Sequence, residues 1–365
     1  MSCARPILLL VSFICHPLSI NFAAAALRTM SEIKQIWRPI SGRLTERAWQ
    51  LLFTSASNRR IALRHLFNRH MAPNALAFIT FDDHSFFVDP RDQMIAFRLL
   101  SGHSWQRAEF DAAIIATEAA DVLKPGKWFV DVGANIGTQT VYAMRSGRFC
   151  GAVAIEPEPH NLDLLRRNIA VNGLTEKVHI VAAAASNSNA TATLTRDRQN
   201  FGAHSIKANW SDTPGTAVTV ETRTIDTVLA QLGIASSDIG LAWIDVEGHE
   251  VEALRGMELL RRAHVPIVSE VSMAADIDEL RALLASDYTS VQQLQPKSPV
   301  KKRTDSEHSH GVNGSGSAAV NTSRPHDRSA TDQPDAGSDI ANFDFGVRQA
   351  DVLIYYAAAR ANAAA

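Results

Sequence analysis

Between residues 128 and 137 the chain passes from an apolar run, Trp128-Phe129-Val130, through Asp131-Val132-Gly133-Ala134-Asn135-Ile136-Gly137 into a helical pattern. This succession predicts a buried strand, a glycine turn and a helix start, the opening of a βαβ unit. Gly133 permits the sharp turn and the close approach of a ligand to bare backbone, and Gly137 lets the following helix pack on the strand. The next apolar run, Ala152-Val153-Ala154-Ile155, ends in Glu156. That is the distance at which a nucleotide-binding unit sets a carboxylate against a ribose diol, so the pairing points to an adenosine-containing cofactor.

A dinucleotide-binding turn would read Gly-x-Gly-x-x-Gly and aim its helix N-terminus at a pyrophosphate. Here Asn135 stands in place of the middle glycine, and an acid, Asp131, begins the turn. A carboxylate there opposes a diphosphate and suits a cation. S-adenosylmethionine carries a sulfonium and an ammonium and no phosphate, so the electrostatics favour it over NAD. Asn135 is expected to hydrogen-bond locally or to the methionine part of that cofactor.

A second constellation follows the apolar run Leu241-Ala242-Trp243-Ile244: Asp245-Val246-Glu247-Gly248-His249-Glu250, with a helical pattern after it. In an open α/β sheet the ligand crevice lies outside the carboxyl ends of the strands, so Asp131, Glu156 and Asp245 are expected to gather at one rim. Asp245, Glu247, His249 and, at the end of a later apolar run, Glu270 are the candidate catalytic residues; a His or a carboxylate there would take the proton of an acceptor hydroxyl. The competing reading has Glu247 and Glu250 favouring the first turn of a helix and His249 merely packing there.

Several blocks, in order, resemble the FkbM-type family of S-adenosylmethionine-dependent methyltransferases. They are DVGANIG at 131–137, EPEP at 156–159, LLRRNIAVNGL at 164–174, TRTIDTV at 222–228, IDVEGHEVEALRG at 244–256 and SEV at 269–271, within residues 100–295. The family pattern usually has a lysine two residues before the aspartate of DVEGHE; this chain has Trp243. The resemblance implies a Rossmann-like class I methyltransferase sheet, mostly parallel with its last strand antiparallel. It further implies methylation of a hydroxyl on a sugar, a lipid-linked glycan or a secondary metabolite. Asp131, Gly133, Asn135, Gly137 and Glu156 are the expected cofactor residues.

The organisation around that core is legible in outline. Residues 1–29 hold Arg5, the apolar run Ile7 to Cys15 and the small stretch Ala23 to Ala26, the outline of a secretory signal or of an upstream extension. Because S-adenosylmethionine is a cytosolic metabolite, a cytoplasmic location is preferred to export. Residues 30–120 form an N-terminal region: arginine-rich helices with Ile36, Ile40, Leu44, Trp49, Leu52 and Phe53 at helical spacing, then a hairpin from Ala77-Phe78-Ile79 and Phe86-Phe87-Val88, then a helix from Phe110 to Leu123. The first helices read as an amphipathic cap or dimer element in preference to a membrane-surface helix.

The core, 121–296, alternates strands at 128–132, 152–156, 178–183, 241–246 and 265–271 with helices near 138–146, 159–172, 250–262 and 276–285. Such alternation means a parallel sheet with right-handed crossovers. Ala192-Thr193-Leu194 and Val218-Thr219-Val220 read as an antiparallel pair on the substrate side, with Asn200 to Gly215 as a mobile loop. Asn168 and Asn172 share a helix face, Asn172 as a C-cap. The polar tract 297–341 is expected to be a disordered insertion in the hairpin joining Tyr288 to Leu294 with the strand Asp351 to Tyr356, in the closing segment 342–365.

With 365 residues, 46% of them hydrophobic, the chain can bury a large α/β core. A net charge of −2 with 20% charged residues gives no basic footprint, which argues against nucleic acid as a partner. Cys3, Cys15 and Cys150 have no ligand-like spacing, and His308-x-His310 sits in the polar tract, so no metal is expected.

Overall fold

The computed structural model describes residues 72, 74–211, 213–271, 277–294, 338–340 and 350–355. The readings made for 1–29, for the helices before the hairpin, and for His308 and His310 lie outside these residues. Among the described residues no helix is long and apolar enough to cross a membrane.

The N-terminal hairpin is present as β1 (Ala77–Thr80) and β2 (Ser85–Val88), paired antiparallel. It is followed by α1 (Ile95–Leu100) and α2 (Arg107–Ala119). The parallel core then begins with β3 (Lys127–Val132), α3 (Thr138–Ser146), β4 (Phe149–Ile155), α4 (Pro159–Val171) and β5 (Val178–Val181). Helix α4 starts where Pro159 takes the first helical position and the Glu158 carboxylate accepts from the Asn161 N–H, two devices that favour a helix N-terminus. It ends at Asn172, its C-cap.

A small side sheet follows, β6 (Ala184–Ala185), β7 (Ala190–Asp197) and β8 (Pro214–Arg223), in the order β6-β8-β7 with β7 and β8 antiparallel. After α5 (Ile225–Leu232) come β9 (Ile239–Ile244), α6 (Glu250–Arg255), α7 (Glu258–Arg262), β10 (Ile267–Val271) and α8 (Ile277–Ala285). The single helix expected over 250–262 is thus two, interrupted at Gly256-Met257. A Cβ on Gly256 would collide with the Ser186 carbonyl oxygen, so the backbone of α6 ends against the side sheet. The chain closes with β11 (Ser290–Gln293), β12 (Ser338–Asp339) and β13 (Ala350–Tyr355).

The main sheet has the order β12-β11-β13-β10-β9-β3-β4-β5. Strands β3, β4, β5, β9 and β10 are parallel, while β13 runs antiparallel between β10 and β11. The expected pairing of the last strand with 288–294 is therefore present. The edge strand β12 lies inside the tract read as an insertion and pairs with β11, so residues 338–339 belong to the sheet.

Strand order reverses between β3 and β9, the position where an open α/β sheet opens a crevice. Trp243, in β9, does not reach that crevice. It is 1% exposed and packs against Phe110 of α2 at 6.0 Å between ring centroids. The hairpin is held by two asparagines of α4. Asn168 accepts from the Phe87 N–H and donates to the Phe87 carbonyl, and Asn172 does the same for Ser85. Their four-residue spacing lets a helix imitate the hydrogen-bonding edge of a strand.

Candidate active site

A cleft partly open to solvent lies at the carboxyl ends of β3, β4 and β9, the place where ligands bind in an open α/β sheet. Its walls include Gly133, Asn135, Glu156, Asp245, Glu247 and His249, so six of the nine residues singled out in the sequence converge on one cavity. Asp131, Gly137 and Glu270 do not line it.

The turn after β3 is self-satisfied. Gly133 N–H and Ala134 N–H both donate to the Ile155 carbonyl, Asn135 N–H to Glu156 Oε2 at 2.9 Å, Ile136 N–H to Asn135 Oδ1, and Gly137 N–H to the Ala134 carbonyl. A phosphate-binding turn needs free N–H groups; this one has spent all five. Asn135, at φ 50°, spends its side chain too, donating through Nδ2 to the Phe201 carbonyl at 3.0 Å. The local hydrogen bonds expected of it are present.

Asp131 corrects the expected rim of three carboxylates. Its side chain is 2% exposed and accepts from Thr140 Oγ1 of α3, so it ties strand to helix beneath the turn. Burial pushes its carboxyl up to about 7, opposed by the Thr140 hydrogen bonds. Gly137 serves packing: a Cβ there would lie 2.6 Å from Leu165 Cδ1 of α4.

Glu156 faces the cleft while accepting from the backbone N–H groups of Asn135 and Glu158. Burial raises its carboxyl to about 7 against the pull of those two donors. Beside it stands Asn161, 1% exposed, whose Nδ2 donates to the Phe201 carbonyl and whose Oδ1 has no partner. A buried, unpaired amide oxygen in a cleft wall is costly unless a ligand donates to it.

The loop after β9 makes its turn with two left-handed residues, Glu247 at φ 51° and Gly248 at φ 88°. A Cβ on Gly248 would run into the Trp210 ring, and Trp210 Nε1 donates to Glu247 Oε2 at 3.1 Å. Ser205 Oγ donates to the Glu247 carbonyl at 2.7 Å. Glu247 is raised to about 8, by burial first and then by the negative charge of Glu270, with Trp210 pulling the other way. His249, the N-cap of α6, has its Nε2 3.1 Å from Ser186 Oγ, and burial lowers its imidazole.

Glu270 approaches from β10 behind the cleft. Asp245, Glu247 and Glu270 each place an oxygen within 4.8 Å of the others, a gathering of hard donors of the type that holds a divalent cation, where the sequence predicted no metal. Positive charge faces the same corner from Lys207, which acts on both His249 and Glu250.

The segment from Asn200 to Gly215, expected to be mobile, is anchored over the cleft. Asp197 accepts from the N–H groups of Gln199 and Asn200 and from the hydroxyls of Ser211 and Thr213. Asp92, from the N-terminal region, accepts from the Phe201 N–H, and Gln93 N–H donates to the Gln199 carbonyl. Asn161, His204 and Trp210 are the site residues that sequence reasoning missed. Only Asn161 carried a signal, lying one turn into the helix that EPEP opens.

A largely parallel sheet with its cleft at the switch point and an antiparallel last strand defines a Rossmann-like methyltransferase fold. Residues 131–291 match the family described as the Methyltransferase FkbM domain. No curated protein matches the chain. Among solved structures, methyltransferase FkbM from Methylobacillus flagellatus KT is similar at 18% identity, covering 53% of this chain and 55% of that one, with a TM-score of 0.33. The C-terminal domain of precorrin-6Y C5,15-methyltransferase from Rhodobacter capsulatus matches at 14% identity over 51% and 74%, TM-score 0.31. TYW2 from M. jannaschii, in complex with AdoMet, matches at 11% identity over 63% and 83%, TM-score 0.32. The chain spans about half the length of the first of these structures.

Proposed function

We propose that the protein is an S-adenosylmethionine-dependent O-methyltransferase acting on a hydroxyl of a sugar, a lipid-linked glycan or a secondary metabolite. The observation that carries the cofactor reading is the turn from Gly133 to Gly137, which has no N–H left for a phosphate yet lies beside the unpaired Asn161 Oδ1 and the Glu156 carboxylate. Such a wall accepts hydrogen bonds and rejects a pyrophosphate, as an adenosine cofactor without phosphates requires.

When bound, S-adenosylmethionine supplies a methyl group on a sulfonium, whose C–S bond breaks as a C–O bond forms. Glu156 and Asn161 would hold the adenosine half. On the loop after β9, Asp245, Glu247 and His249 would orient the acceptor hydroxyl and take its proton, and positioning in line contributes most of the rate.

The experiment compares S-adenosylhomocysteine with NAD by thermal shift and follows conversion of S-adenosylmethionine in the presence of hydroxylated acceptors. Stabilisation by S-adenosylhomocysteine alone is expected. Stabilisation by NAD, with none from S-adenosylhomocysteine, would replace this reading with an oxidoreductase. Glu156→Ala is expected to weaken the cofactor by about 2–3 kcal/mol.

A further inference from the structure

His204 lines the cleft from the loop that crosses it, and its chemistry is fixed by one backbone contact. Its Nδ1 accepts from the Asp197 N–H at 2.9 Å. A neutral imidazole with Nδ1 accepting carries its proton on Nε2. No described residue accepts from that Nε2–H. Burial, with help from Arg196 and His160 and against the charges of Glu158 and Asp197, lowers the imidazole to about 4. Two roles are therefore closed to it. It is no general base, because its lone pair is engaged by the Asp197 amide, and it is no cation at neutral pH. What remains is a neutral donor held at a set angle in the cleft wall.

The surroundings place that donor near Glu156 and Asn161. The charges acting on His204 are those of Glu158, Arg196, Asp197 and His160, and the first two form an ion pair at 2.7 Å. Glu158 follows Glu156 and Pro157 and caps α4, and the His204 ring lies 6.0 Å from that of Phe201, whose carbonyl accepts from Asn161; His204 thus neighbours the Glu156 and Asn161 wall, while the next residue, Ser205, reaches the Glu247 carbonyl. The nearby Asn161 oxygen and the Glu156 carboxylate both accept; His204 adds a complementary donor to that wall.

We infer that His204 Nε2–H is a cofactor-binding donor, directed at an acceptor atom on the adenosine half of the cofactor, and that the Asp197 amide is what sets its tautomer. This rests on the S-adenosylmethionine reading above. Both parts of adenosine offer such atoms, the ring nitrogens and the ribose oxygens, and the assignment concerns the nucleoside as a whole.

Calorimetry with S-adenosylhomocysteine on the full chain and two variants tests the inference. His204→Asn keeps an acceptor where Nδ1 was, so the Asp197 amide stays paired, and removes the donor. His204→Gln extends an amide N–H toward the place of Nε2. The expected result is binding weakened about 3- to 10-fold in His204→Asn, the scale of one lost hydrogen bond, with recovery to within about 2-fold in His204→Gln. A His204→Asn variant that binds as tightly as the unaltered chain overturns the inference and leaves the cofactor reading standing. An unaltered chain that does not bind S-adenosylhomocysteine overturns both. Nitrogen-15 NMR of the unaltered protein gives a second measurement independent of how the variants fold. An Nε2–H resonance that moves downfield when S-adenosylhomocysteine is added is expected, and a proton on Nδ1, or an Nε2–H that does not respond, overturns the assignment.

Discussion

The place where a Gly133 side chain would stand is filled by the backbone carbonyl of Asp245. The loops after β3 and β9 touch there, and the Asp245 N–H donates to the Val132 carbonyl at 2.9 Å. Sequence reasoning reserved Gly133 for a ligand's approach to bare backbone; the structure shows that the approaching group is the chain itself. The turn with Asn135 and the acidic loop with Glu247 are thereby locked to each other across the switch point.

Gly133→Ala therefore meets two penalties. A side chain at φ +82° costs about 1–2 kcal/mol, and forcing a methyl group against a packed carbonyl adds about 1–3 kcal/mol. Urea unfolding should show a loss of about 2–5 kcal/mol together with loss of cofactor binding. Unchanged stability would mean that the two loops are not held in contact in solution.

Asn168 and Asn172 make a separable prediction for the hairpin. Asn168→Ala leaves the N–H and carbonyl of Phe87 and the Ile136 carbonyl without their partner, a loss on the order of 2–4 kcal/mol in a buried setting. Hydrogen exchange is the sharper readout, with the Phe87 and Ser85 amides exchanging faster in the Asn168→Ala, Asn172→Ala double variant. Protection of those amides equal to that of the unaltered chain would show that β2 does not depend on α4.

Asp131 predicts how stability responds to pH. Its folded carboxyl is raised to about 7, so between its ordinary range near 4 and that value the folded chain keeps a proton that the unfolded chain releases. The folded state binds more protons, and stability falls as pH rises through this window. Glu156 and Glu247, raised to about 7 and about 8, act in the same direction, so the test is a difference. Asp131→Asn, which retains a partner for Thr140, should lose less stability than the unaltered chain from pH 5 to pH 8. The gain at pH 8 is expected to be about 1 kcal/mol or more, about 2–4 °C in melting temperature per kcal/mol. Parallel curves for the two proteins would show that Asp131 ionises freely.

The parts of the fold that the sequence revealed are those governed by short-range pattern. Apolar runs of strand length ending in Asp131, Glu156 and Asp245 located three neighbouring strands, because burial on both faces of a parallel strand leaves an unbroken apolar run. Glu156 and Asp245 also located the cleft. Where side chains point was less legible. Asp131 and Glu156 look alike as acids near strand ends, but Asp131 lies one residue before its strand's last residue and turns beneath the sheet to Thr140, while Glu156 lies one residue beyond its strand and reaches the cleft. His204 and Trp210 left no local signal, since their roles depend on a loop folding back over residues more than 30 positions away in sequence. The anchoring of that loop by Asp92 joins segments 109 residues apart, a distance at which no periodicity is informative.

The final prediction separates an enzyme from a protein that only binds the cofactor, and it concerns the rim after β9. Glu247 and His249 line the cleft from the loop after β9, and Ser186 holds the imidazole of His249 through Nε2. If these groups orient and deprotonate an acceptor hydroxyl, alanine in their place removes interactions made in the transition state and leaves the adenosine wall intact, so kcat falls while cofactor affinity stays. Single-turnover methyl transfer at saturating S-adenosylmethionine should slow by about a hundredfold or more in at least one of Asp245→Ala, Glu247→Ala and His249→Ala, the scale of losing a general base. S-adenosylhomocysteine affinity should stay within about threefold in that same variant, less than the loss of one hydrogen bond to a charged group. Ser186→Ala, which frees the ring without removing it, should cost less than His249→Ala if the imidazole itself handles the proton. Near-normal rates in all three rim variants would reduce the loop to the start of α6 and transfer the search for the base to Glu270.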